Sequence, residues 1–209
     1  MAPFYIIQLQ IAVGYIVLNY ALPAIGRALR DLFVARSGSE VVREASTLQL
    51  HFPQLPPPGG SDEIEFVFNR LFVGPTKPLA PPFASIYLEE DELVMSHTTM
   101  EVRRFYSVLG LVSPWHGTLP EDHIALEIDA CLYLQQALPL IQPIEQEEYL
   151  PLCLSFFDQH VLVWVPRFCE RVRKETARGS FMHTVVDLLE HWLLELRQEI
   201  SCWEKGVIR

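Results

Sequence analysis

Arg70-Leu-Phe-Val-Gly-Pro-Thr-Lys-Pro-Leu-Ala-Pro-Pro-Phe-Ala-Ser-Ile-Tyr87 reads as a stiff loop with aromatic residues at its exit. Pro75, Pro78, Pro81 and Pro82 fix φ and remove amide donors, so this stretch cannot close into a helix. Such a loop serves as a groove wall or as a plain connection between helices, and spacing alone leaves both readings standing. Its flanks are helical. Upstream, Asp62 is placed to cap a segment in which Ile64, Val67, Phe68 and Leu71 recur at helical spacing, with Gly74 as its stop. Downstream, Thr98 with Glu101 forms a capping box ahead of Val102, Phe105, Tyr106 and Leu109, stopped by Gly110. Thr118 with Glu121 forms another, opening a helix with Leu126, Ala130, Tyr133 and Leu134 on its apolar side. Helices are also predicted over about 147–163, 166–176 and 180–202, and in the last of these Val185, Leu188, Leu189, Trp192 and Leu196 make one stripe. Only residues 84–95 suggest extended structure. The loop thus interrupts an all-α, single-domain bundle of six or more helices.

Composition narrows the function classes. The chain has 209 residues, half of them apolar, enough to bury a substantial core and too apolar for bulk disorder. Its formal charge of −10 opposes non-specific nucleic-acid binding, which needs a basic stripe, and favours a basic partner. Cys131, Cys153, Cys169 and Cys202 form no CxxC pair and read as small core residues of a reducing cytoplasm. There is no GxSxG elbow, HExxH helix, P-loop or GxGxxG turn, so the sequence predicts neither an enzyme nor a metal site. His116, His123 and Asp122 are a weak metal constellation, and Trp115, Trp164, Trp192 and Trp203 read as core or groove aromatics.

No charged side chain occurs from Met1 to Gly26, and Phe4 to Leu22 is apolar enough in length to span a bilayer. Gln8, Gln10, Asn19 and Pro23 oppose that, and no basic segment marks a secretory signal. A buried first helix is the reading, with a membrane anchor as its rival. Phe52 to Gly60 packs four prolines and two glycines into nine residues and reads as a hinge or linker. It divides an atypical segment, residues 1–60, from a core of residues 61–209 within what is read as one continuous domain.

A second stretch, Pro120-Glu-Asp-His-Ile-Ala-Leu-Glu127, places an acid and a histidine at a helix start. Read alone, this is a favourable acid near a helix N-terminus with His123 paired to Glu127 one turn on. Together with the Leu-Phe-x-Gly-Pro and Pro-Pro-aromatic spacing of the first stretch, it resembles the TorD/DmsD family of redox-enzyme maturation chaperones, DmsD branch. Tyr87-Leu88-Glu89, the helix from Thr98 to Tyr106, and His160-x-x-x-Trp164-x-Pro166-x-Phe168 extend the resemblance over about 62–195. The sequence departs from the pattern at Met182, where tyrosine is usual, and at Thr76, where that branch often has tryptophan, which bears on leader preference.

The resemblance implies a cytoplasmic, non-enzymatic chaperone that binds the twin-arginine signal peptide of a molybdopterin oxidoreductase, in its apo form, before export. It implies a leader-binding surface of Gly74, Pro75, Pro81, Pro82, Phe83, Ser85, Tyr87, Pro120, Asp122 and His123. Asp122 is then expected to receive an arginine guanidinium in bidentate fashion. No cofactor or metal is expected, beyond the weak guanine nucleotide binding suggested for some relatives. No nucleic acid is expected; a transient membrane or translocase contact and a homodimer fit the resemblance. Two rival readings are a NarJ-like assembly chaperone for a nitrate reductase and a membrane-anchored adaptor; a metal-dependent hydrolase is more remote.

Overall fold

The computed structural model describes residues 22–112, 115 and 117–204, and among them it is helical with one isolated β-bridge and no strand. The helices are α1 (22–33), α2 (Gly38–His51), α3 (Ser61–Phe68), α4 (Ser85–Leu88), α5 (His97–Val108), α6 (Ile124–Ala137), α7 (Pro143–Phe156), α8 (Leu162–Lys174) and α9 (Phe181–Glu204). The stripe predicted on α9 is buried in full, from Val185 to Leu196. Trp192 of that stripe donates from Nε1 to the Leu22 carbonyl at 2.8 Å, which lashes the start of α1 to α9. Gly26 makes the approach possible, since a Cβ there would fall 2.4 Å from the Trp192 ring.

The linker from Phe52 to Gly60 is anchored. Leu55 is buried and its carbonyl accepts from Gln49 Nε2 at 3.1 Å. It returns the chain to the start of α2, where a Cβ on Gly38 would fall 1.8 Å from the Ser61 carbonyl oxygen. One core cluster holds Leu29 of α1, Leu48 of α2 and Leu55 together with Phe68, Phe168 and Leu189. Residues 1–21 lie outside the described residues, so the choice between buried helix and anchor lies there too. No helix of the described residues is long and apolar enough to cross a membrane.

Several local expectations are corrected. α3 begins at Ser61 with Gly60 as its cap and no side-chain cap from Asp62. α5 starts at His97, and the carboxylate of Glu89, not Glu101, accepts from the Thr98 amide at 2.6 Å and from the Ser96 hydroxyl. α6 starts at Ile124 rather than after Thr118, whose hydroxyl donates to the Trp115 carbonyl instead. Residues 84–95 hold the single-turn helix α4 and then an irregular segment. Helical structure runs unbroken from Pro143 to Lys174 through a π-helical turn, Phe157–Val161. Pro166 therefore sits inside α8. Leu162 departs from helical ψ (φ −74°, ψ −4°), which re-aims the carbonyl that the Pro166 ring would otherwise strike.

Candidate functional site

The proline loop begins where α3 widens into a π-helical turn, Asn69–Val73, and stops at Gly74, whose φ of 131° suits glycine. It then folds back on its own helix, with the Leu79 amide donating to Arg70 (3.1 Å) and the Ala80 amide to Leu71 (2.8 Å). Arg171 of α8 holds the loop from the far side by donating from Nε to the Leu79 carbonyl at 2.7 Å. Pro81 to Phe83 next runs antiparallel to Asp122–His123. The Ala84 amide donates to the Asp122 carbonyl (3.0 Å) and the Ile124 amide to the Pro82 carbonyl (2.9 Å), forming the bridge Phe83–His123. Two stretches singled out far apart in sequence are thus one substructure.

That substructure walls a cavity of about 760 Å³. Pro81, Pro82, Phe83 and His123 line it, opposite Phe33 of α1 and Phe68 and Phe72 of the α3 region. Phe83 meets the His123 ring edge-to-face at 5.0 Å. His123 is the N-cap of α6 and its Nδ1 accepts from the Ala125 amide at 3.2 Å, so the proton of its neutral form is on Nε2. Burial lowers its pKa to about 4, and the imidazole is uncharged at neutral pH. It does not pair with Glu127.

The remaining predicted residues are placed differently. Asp122 is fully buried, and its oxygens accept from the Ser85 amide (3.0 Å) and the Thr99 hydroxyl (2.8 Å). It clasps α4 and α5 to the turn before α6, so in this conformation it presents no face to the cavity where a guanidinium was expected to meet it. Ser85 is buried behind the wall. Tyr87 stacks on Trp164 at 5.7 Å, beneath the Arg171 guanidinium at 5.8 Å, and burial raises its phenol pKa. Gly74 and Pro75 stand at the loop entrance, outside the cavity lining, and Pro120 lines a separate pocket of about 430 Å³ beside Met95 and Arg103.

Sequence reasoning gave Glu127 to His123 and missed its actual partners. Fully buried, it accepts from Trp164 Nε1 at 2.7 Å and pairs with His160 Nε2 at 2.7 Å. Burial alone would lower the His160 pKa; the Glu127 carboxylate outweighs it and raises it. The four-residue spacing of His160 and Trp164 on one helix face was the available signal. Also missed was Glu92, which lines the cavity from the irregular segment and pairs with Lys77 at 3.1 Å. Among the described residues no three metal-ligating side chains gather, and His116 lies outside them.

A family model described as nitrate reductase delta subunit matches residues 38–170, which include the proline loop, the bridge and the His160–Trp164 face. The chain belongs to this family. The curated relatives that it matches include TorD and DmsD chaperones. Chaperone protein TorD of Psychrobacter sp. is 24% identical over 184 residues, covering 86% of this chain and 79% of its own length. TorD of Aliivibrio fischeri is 28% identical over 135 residues, 63% of this chain and 61% of that one. The probable Tat proofreading chaperone DmsD of Haemophilus influenzae is 26% identical over 133 residues, 62% of this chain and 60% of that one. The chain therefore spans about three fifths of the length of the last two. As a TorD/DmsD family member it is a redox-enzyme maturation chaperone and not an enzyme.

Proposed function

We propose that this TorD/DmsD chaperone binds the twin-arginine leader of a molybdenum-cofactor oxidoreductase in the cytoplasm and holds the apo enzyme until its cofactor is inserted. The observation that carries this reading is the cavity behind the Phe83–His123 bridge, where a rigid proline wall faces Phe33, Phe68 and Phe72. Its volume lies in the ordinary range of roughly 300–1,000 Å³ for ligand sites and suits a few apolar side chains of an extended or helical peptide. A leader is basic and then apolar, and the formal charge of −10 favours its encounter. Calorimetric titration of the protein with a synthetic twin-arginine leader tests the reading; no heat of binding at micromolar protein would refute it.

The family description, nitrate reductase delta subunit, favours a second reading, NarJ-like assembly of a nitrate reductase that is not exported in folded form. Recovery of clients from anaerobically grown cells, followed by sequencing of the bound N-terminus, separates the two.

A further inference from the structure

Burial of Asp122 leaves open which carboxylate meets an arginine. Among the described residues, the acids lining the cavity are Asp31, Glu40 and Glu92. Asp31 is bonded by its neighbour Arg30 at 2.8 Å, and Glu40 accepts from the Arg36 amide at 2.7 Å, both within the local α1–α2 corner. Glu92 is bonded instead across the wall, to Lys77 of the proline loop at 3.1 Å, with Arg171 Nη1 at 3.7 Å, beyond hydrogen-bond length. The Lys77 side chain is 76% exposed and that of Glu92 43%.

We propose that Glu92 receives a guanidinium of the bound leader in exchange for Lys77; this rests on the leader reading above. An ammonium on a flexible stem gives Glu92 a point contact, and pairs so exposed are weak. A guanidinium presents two parallel donors to the same carboxylate, so the exchange favours arginine over lysine in the ligand. The segment around Glu92 fits the rest of such a ligand. Val94 lines the cavity, and Leu93 and Met95 are 60% and 68% exposed beside it. Acid and apolar side chains thus adjoin, as a ligand with neighbouring basic and apolar parts needs. Glu92 and Met95 hold left-handed φ values of 46° and 64°, uncommon for non-glycine residues.

The test uses the full chain and two synthetic peptides, one with adjacent arginines before a run of leucine and alanine, the other with both arginines changed to lysine. Wild type is expected to prefer the arginine peptide by about tenfold. Glu92→Gln is expected to abolish that preference, and Lys77→Ala to tighten arginine-peptide binding by about threefold, a gain lost in the double variant. Phe83→Ala weakens both peptides alike. Undiminished preference in Glu92→Gln, alongside weakened binding in Phe83→Ala, overturns the role of Glu92 and leaves the leader reading standing. Failure of wild type to bind either peptide overturns the leader reading and this inference with it.

Discussion

Asp122 is fully buried, with its oxygens taken by Ser85 and Thr99, whereas Glu92 keeps 43% of its side chain exposed and meets Lys77 and Arg171 at the groove. Both are acids near the proline loop, yet the fold spends one on construction and leaves the other at the surface. The difference comes from what each carboxylate replaces. Asp122 supplies acceptors for an amide and a hydroxyl that the core would otherwise leave without partners, and a buried donor left unpaired costs roughly 1–3 kcal/mol. Glu92 gives up little on exchanging one exposed cation for another.

The comparison is broken most directly at the clasp. Asp122→Ala is expected to cost roughly 3 kcal/mol of stability, read from chemical denaturation, because the Ser85 amide and Thr99 hydroxyl both lose their acceptor. An unchanged denaturation midpoint would show that Asp122 is no clasp. Tyr87→Ala is expected to cost about 2–3 kcal/mol as well, since the ring packs on Trp164 and Phe168. A loss of peptide affinity with no loss of stability would return Tyr87 to the groove.

A smaller effect is expected from pH. His160 has its pKa raised in the fold, so the stability it gains from Glu127 is present in full below its unfolded value of about 6.5 and is lost as pH rises through the folded value. The melting temperature should therefore fall as pH is raised above about 6.5, and the fall should shrink in His160→Gln. Equal slopes in both proteins would mean that the pair is not the source. Exchange of Glu92→Gln, at the exposed end of the comparison, should leave the melting temperature where it is.

What could be read in advance follows the same division. The α9 stripe and the proline loop were legible because helical periodicity and proline's fixed φ are local properties of the chain. The capping boxes failed because longer-range partners took over: Glu89, nine residues back, accepts from the Thr98 amide, and Glu121 turns to Arg103. Glu121 meets Arg103 eighteen residues away through two bonds of 2.8 Å, and Asp122 reaches the Ser85 amide thirty-seven residues away. Pattern spacing of three or four residues cannot register such partners. For the site, the wall residues Pro81, Pro82, Phe83 and His123 were found, while the facing Phe33 lies in the stretch before residue 60 where the resemblance was poor. Glu92 carries no local signal, since its significance depends on Lys77 folding back beside it.

The most direct measurement is a calorimetric titration of one synthetic twin-arginine leader into wild type, Phe83→Ala and Asp122→Asn, each shown by circular dichroism to be folded. Asparagine can still accept from the Ser85 amide and donate to Thr99, so it preserves the clasp while removing the charge. Phe83→Ala is expected to bind about tenfold more weakly and Asp122→Asn within about threefold of wild type. Loss of more than tenfold in Asp122→Asn, with Phe83→Ala unaffected, would contradict both.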